Sequence, residues 1–321
     1  MDHPTLDHPV SELTYSDIRI AAERIVGLTQ PVTVMPIHPS PHVWLALEFI
    51  QHTGSFKARG AANFTTAHVE AGTMPDAGVT IASGGNAGLA CAWAARGAGV
   101  PSTVFLPETA PRLKVERLRS YGADVLLVGR EYADAQEAAW RFARDGGALL
   151  SHAYDNPLIA AGAGTLVPEI VAAVPGGIDT IIVAVGGGGL FAGVATAAAE
   201  HGIRTVAVEP EDCRALNAAL EAGHVVDVPV ASVAADSLGA RRVSETALAT
   251  ARRTGAYSVL VSDKAIVEQR QALWDNFRIV TEHAAATALA ALSTGAYTPA
   301  ENEKVAVILC GANTDPSDLV L

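Results

Sequence analysis

The sequence predicts an α/β protein of two lobes, each a mostly parallel sheet flanked by helices. Three observations lead there. Short β-branched runs alternate with longer amphipathic ones from about Val79 onward, the pattern of βα units. At 321 residues the chain is longer than one typical domain. Hydrophobic residues make up 50% and charged residues 17%, with Ala, Gly and Val abundant, which suits helices packed closely on buried strands.

The elements follow in order. Val43–Phe49 reads as a strand, and an apolar helix opens near Phe56 and runs to Phe64. Val79–Ala82 reads as a strand and Ala87–Arg96 as a helix stopped by Gly97. Thr103–Leu106 is the next strand. Pro111 begins a helix, where its missing N–H costs nothing, and Gly122 ends it after Tyr121. A strand at Asp124–Val128, a helix at Ala133–Arg144 and a strand at Ala148–Ser151 complete a smaller unit, 75–152. A second series places strands at Thr180–Val185, Thr205–Val208, Tyr257–Val261 and Val305–Leu309. Its helices are Thr165–Ala173, Leu190–Glu200, Cys213–Ala222, Asp263–Phe277 and His283–Leu292. Together with the segment before Pro75 these form the larger unit, 1–74 plus 153–321.

Several classes are excluded. Ile181–Ala199 carries no charge and is long enough for a membrane span. Its centre is Gly186-Gly187-Gly188-Gly189, and each glycine costs a helix roughly 1 kcal/mol relative to alanine, so strand, loop and helix fit better. The net charge is −12, and nothing in the spread of Lys and Arg resembles a basic stripe for nucleic acid. Cys91, Cys213 and Cys310 lie far apart without metal-ligand spacing, as expected of a reduced, cytoplasmic compartment. Met1–Thr14 lacks the basic-then-apolar order of a secretory signal. Nothing follows Leu321 to form a regulatory module, so control by one is not expected.

Four places could share one anion-rich ligand. The first is Thr53-Gly54-Ser55-Phe56-Lys57-Ala58-Arg59-Gly60-Ala61. A lone lysine is ordinarily a solvated surface residue. Lys57, however, opens an apolar helix, and both a helix amino terminus and burial disfavour its charge. Arg59 is expected to add like charge. All three would lower the amine pKa, as attack on a carbonyl requires. The second place is Gly186–Gly189, where backbone N–H groups at a helix start can hold a phosphate. The GxGxxG spacing of dinucleotide folds is absent, although Glu209 stands near the position of their acidic residue. The third is Ser83-Gly84-Gly85-Asn86-Ala87-Gly88, read either as a turn capped by Asn86 or Ser83 or as a cradle for a carboxylate. The last is Cys310-Gly311-Ala312-Asn313, after the final apolar strand. Cys310 taken alone is a core thiol.

In this order and spacing the four segments resemble the serine/threonine dehydratase family, the tryptophan-synthase-β-like, fold type II pyridoxal-phosphate enzymes. The resemblance runs from about Thr14 to Asp315 and is nearest to the serine-dehydratase type. It implies that the larger unit binds pyridoxal 5'-phosphate. Lys57 would carry it as a Schiff base and remove the substrate α-proton. Phe56 would pack beside the ring, and Gly186, Gly187, Gly188, Gly189 and Leu190 would hold the phosphate. Asn86 would meet the ring hydroxyl, Cys310 would face the ring nitrogen, and Ser83, Gly84, Asn86 and Ala87 would receive the substrate carboxylate. A thiol cannot keep that nitrogen protonated as a carboxylate would, which favours prompt loss of a β-leaving group.

The implied activity is β-elimination from a small β-hydroxy-amino acid, such as L-serine or L-threonine, to a 2-oxo acid and ammonia. A homodimer is also implied. Racemisation, β-replacement and a catalytically silent binding protein are the alternatives. Gly84 departs from the family's racemases, which carry serine there. Where some members bind a cation, Glu209 matches but Cys213 and Ala215 do not. Glu209 and main-chain carbonyls would suit a monovalent cation, and an ordinary strand-end carboxylate is the equal alternative.

Overall fold

The computed structural model describes residues 12–37, 40 and 42–319. The strands are β1 Val34–Pro36, β2 Val43–Ala46, β3 Val79–Ala82, β4 Ser102–Leu106 and β5 Asp124–Leu127. They continue with β6 Leu149–Leu150, β7 Thr180–Ala184, β8 Arg204–Pro210, β9 Tyr257–Val261 and β10 Val305–Ile308. β3 to β6 form one sheet in the order β5-β4-β3-β6, parallel throughout. The others form a six-stranded sheet in the order β1-β2-β10-β7-β8-β9, parallel except for the β1–β2 edge. β3, β4, β7 and β10 are buried at every residue, as strands covered on both faces must be.

Most expected elements are present, with instructive differences. The helix expected to stop at Gly97 runs Asn86–Ala98, and Gly99, at φ +69°, ends it in the left-handed conformation. The expected strand Val43–Phe49 ends at Ala46 and gives way to a short 3-10 turn, Glu48–Ile50. Thr165–Ala173 is the second half of a broken pair, Pro157–Gly164 and Leu166–Ala173. Helices Tyr15–Ile25, Pro157–Gly164 and Glu245–Thr254 lie outside the expected elements. Their signals were present: Thr14 and Asp17 form a capping box, Asn156 caps Pro157, and Ser244 caps the helix that Gly255 ends. Among the described residues no helix is long and apolar enough to cross a membrane.

Three helices set the distance between the expected cofactor contacts. Helix Pro157–Gly164 lies between helix Lys57–Glu70 and helix Gly189–Glu200, and glycines line both contacts. A Cβ on Gly162 would lie 2.6 Å from the Arg59 carbonyl oxygen, and one on Gly60 2.7 Å from that of Ile159. A Cβ on Gly193 would lie 2.1 Å from the Ala160 carbonyl oxygen. Backbone therefore meets backbone, and the helix carrying Lys57 is held at a short, fixed distance from the glycine loop.

Arg59 secures the outer side. Its guanidinium is fully buried, 2.8 Å from Glu48 and 2.7 Å from Glu169, and donates to Thr165 Oγ1 as well. Such a buried group persists because every donor is matched.

Gly193→Ala should destabilise the protein by ~1–3 kcal/mol in urea unfolding, because the methyl must displace backbone. Gly97→Ala, where a Cβ meets nothing within 4 Å inside a helix, should be neutral or stabilising.

Candidate active site

Lys57 is positioned by a strained turn stitched to the end of β10. Thr53 has φ 62° and Gly54 φ 78°, and a Cβ on Gly54 would lie 2.9 Å from Asn313 Oδ1, so glycine is required there. The Phe56 N–H donates to the Cys310 carbonyl at 3.0 Å, the Ala312 N–H donates to the Gly54 carbonyl at 3.0 Å, and Ser55 bridges Gly311. These bonds set Phe56 and Lys57 beside Cys310 although about 250 residues separate them in sequence.

The Lys57 amine donates to the Ala153 carbonyl at 3.0 Å and lies 4.5 Å from the centre of the Phe56 ring. Burial lowers its pKa to about 8, against the opposing pull of Cys310 and Glu282. Arg59 has no part in this. Its charge is turned away and spent on Glu48 and Glu169, so the like-charge contribution expected from sequence is replaced by desolvation. Cys310 is 5% exposed, and burial, reinforced by Glu282, pushes its thiol up to about 12. It remains a neutral thiol at physiological pH.

The glycine loop is linked to Lys57 through one pair of neighbours. Ala153 accepts from the lysine, and the next residue, Tyr154, covers the loop. A Cβ on Gly187 would lie 2.3 Å from the Tyr154 ring, and one on Gly189 2.7 Å from the Tyr154 carbonyl oxygen. Gly188 has φ 94°, and its Cβ would lie 2.4 Å from that of Ala247. No side chain fits here. Among the described residues none accepts a hydrogen bond from the N–H groups of Gly186, Gly187, Gly188 or Gly189. Leu190 follows, buried, in the first turn of helix Gly189–Glu200. Largely buried donors without acceptors at a helix start are a place for an anion.

The Ser83–Ala87 segment ends β3 and opens helix Asn86–Ala98. The helix cap is Gly85, with no side-chain bond, so neither Asn86 nor Ser83 takes the capping role offered as one reading of this turn. Ser83 Oγ accepts from the Gly85 N–H at 3.4 Å, and Ala87 is buried. A Cβ on Gly84 would lie 3.0 Å from Leu106 Cδ2 and 3.7 Å from Lys114 Cδ. Asn86 instead turns its amide nitrogen to both oxygens of Glu282, at 2.9 and 3.0 Å, while its oxygen accepts from Asn313. Glu282 also accepts from Ser237 Oγ and from the Asn313 N–H, each at 2.8 Å.

Glu282 and Tyr154 escaped the reading of the sequence. Glu282 precedes helix His283–Ser293, where an acidic residue resembles an ordinary cap, and only its lack of a side-chain capping bond reveals another use.

Glu209 stands elsewhere. Its oxygens accept from the Leu216 and Asn217 N–H groups, at 2.7 and 2.8 Å, at the start of helix Ala215–Ala222. Burial raises its carboxyl to about 8 despite those bonds. Among the described residues there is no group of three or more His, Cys, Asp or Glu able to hold a metal ion.

An amine of lowered pKa joined through two residues to a cradle of free N–H groups fits a ligand with an aldehyde at one end and a phosphate at the other. Two mostly parallel, helix-flanked sheets holding such a site define a class of α/β enzyme. The chain belongs to the pyridoxal-phosphate dependent enzyme family, whose model matches residues 28–311. It is 37% identical over 276 residues to an L-threonine ammonia-lyase of Geobacter sulfurreducens, covering 85% of this chain and 67% of that protein. It is 36% identical over 282 residues to a human serine dehydratase-like protein, covering 84% of this chain and 85% of that one. Among solved structures, maize serine racemase superimposes with a TM-score of 0.88 at 29% identity, covering 96% of each chain.

The Lys57 amine should be half-reactive near pH 8 in cofactor-free protein. Pyridoxal phosphate and borohydride should label Lys57 with a yield that rises through that pH, as peptide mapping would record. A label on another lysine, or a midpoint near 10, would remove the assignment.

Proposed function

We propose that the protein eliminates the β-hydroxyl of a small hydroxy-amino acid, L-serine or L-threonine, with pyridoxal 5'-phosphate as cofactor. The observation that carries this is a lysine amine of lowered pKa beside a neutral thiol, Cys310. The ammonia-lyase and dehydratase names of its relatives point the same way.

In this reading the N–H groups of Gly186–Gly189 and Leu190 hold the phosphate, and Phe56 packs beside the ring. Ser83, Gly84, Asn86 and Ala87 receive the substrate carboxylate. The bound cofactor supplies an electron sink for the pair left on the α-carbon. Lys57 takes the α-proton and can return a proton only to its own face. Cys310, held as a thiol, offers the ring nitrogen no charge. The β-hydroxyl leaves as water, and the released enamine adds water to give the 2-oxo acid and ammonia.

The larger unit, 1–74 with 153–321, and the smaller one, 75–152, form the two sides of the site in this reading. Both Glu209 oxygens are already taken by N–H groups at a helix start, and a monovalent cation there would need further ligands from main-chain carbonyls. A homodimer completes the proposal. Ile20, Val26, Leu28 and Val69 are exposed apolar residues on and beside helices Tyr15–Ile25 and Lys57–Glu70, of the kind that a partner copy would cover. A monomeric mass in light scattering would remove it.

Racemisation is the second reading, favoured by the likeness to maize serine racemase. It needs a proton donor on each face of the α-carbon, and Gly84 has no side chain to offer. A positioned acid or base is worth about 10²–10⁴-fold. L-Serine or L-threonine incubated in deuterium oxide should therefore yield 2-oxo acid and ammonia, with D-isomer rare beside them. D-isomer formed at a comparable rate would overturn the elimination reading. Gly84→Ser should raise the D-isomer yield if Leu106, 3.0 Å from the new Cβ, gives way. Lys57→Ala should abolish turnover and leave the fold intact.

A further inference from the structure

Glu282 is a buried carboxylate that the elimination chemistry leaves unused. It is 5% exposed, and the contacts that satisfy it are donors from three separate places. Asn86 opens the helix after β3, Ser237 lies in the short helix Ala235–Leu238, and Asn313 follows β10. Their hydrogen bonds fix one another's direction. The Thr53 carbonyl can only accept, so Asn313 must present Nδ2 to it, at 2.7 Å. The same Nδ2 donates to Asn86 Oδ1, which leaves Asn86 only its amide nitrogen to turn toward Glu282. One amide hydrogen shared between the two carboxylate oxygens satisfies both distances, and the second stays free for a ligand.

We propose that Glu282 is a positioning residue, whose ionised carboxylate holds Asn86, and with it the start of helix Asn86–Ala98, in the orientation that offers an N–H to the substrate carboxylate. The proposal rests on the reading of this site as one for pyridoxal phosphate and an amino acid.

The hold depends on charge. Burial raises the Glu282 carboxyl above its ordinary value, the bonds from Asn86, Ser237 and Asn313 oppose the rise, and Asp236 adds to it. Three titratable groups face Glu282: Asp236, itself paired with Lys114; Lys57; and Cys310 at the end of β10. Above its raised pKa Glu282 is an acceptor for all three donors. As pH falls through that value it gains a proton, loses acceptor strength and loosens Asn86.

The test uses holoenzyme and L-alanine, which has no β-leaving group, with binding followed through the cofactor's visible absorption across pH. Glu282→Gln keeps the shape and removes the charge. The variant should bind about tenfold more weakly at the alkaline end, the worth of roughly one charge-assisted hydrogen bond. The ratio of dissociation constants should fall toward one as pH drops through the Glu282 titration. A ratio that is constant with pH, or equal to one throughout, overturns the proposal. Ser237→Ala is a second arm should Glu282→Gln fail to fold. It removes one donor, raises the Glu282 pKa and should move the weakening of L-alanine binding to higher pH; an unmoved profile overturns the proposal. Normal L-alanine binding without 2-oxo acid from hydroxy-amino acids would defeat the elimination reading alone. Absence of any visible band would defeat both.

Discussion

Helix Pro157–Gly164 runs between two neighbours with backbone against backbone on both sides. Gly60 and Gly162 allow it to touch the helix of Lys57, and Gly164 and Gly193 allow it to touch the helix that leaves the glycine loop. An amine and an anion cradle can act on one ligand only if their separation is set to within a fraction of an ångström. Close helix contact without intervening side chains provides that precision, since a backbone carbonyl has no rotamer to change. The abundance of Gly and Ala in this chain is thus a condition of the site as well as of the core.

Electrostatics around the lysine is a balance of burial against charge. Lys57, Cys310 and Glu282 lie within one another's fields, and each departs from its ordinary pKa chiefly because water is scarce. Desolvation favours the neutral form of all three. Glu282 resists by gathering three donors, and Lys57 retains some basicity because Cys310 and Glu282 stand near it. Arg59, only two residues away, is withdrawn from this balance by its own carboxylates, and the two charged centres of one helix start serve separate purposes.

The polar cluster around Asn86 joins segments that no short-range rule would connect. It ties the turn at Thr53 and Gly54, the helix after β3, the short helix Ala235–Leu238 and the end of β10 to a single carboxylate. Each member has a partner that can only accept or only donate, so the amide directions follow without choice. Such a network holds these four segments in register around one buried carboxylate.

What the sequence determined by itself was local. Strand runs, the glycine loop, and the Ser-Phe-Lys and Ser-Gly-Gly-Asn turns are legible because side-chain period and turn chemistry act over a few residues. Boundaries that rest on cap geometry slipped, as at Gly97 and Gly99. The tertiary structure decided which groups meet. Asn86 and Glu282 stand 196 positions apart, and nothing in either neighbourhood points to the other. The same holds for Tyr154 on the glycine loop, for the carboxylates that take Arg59, and for the helix start that occupies Glu209. Burial and partner identity belong to the folded chain, because desolvation and hydrogen bonding depend on what packing brings within a few ångströms.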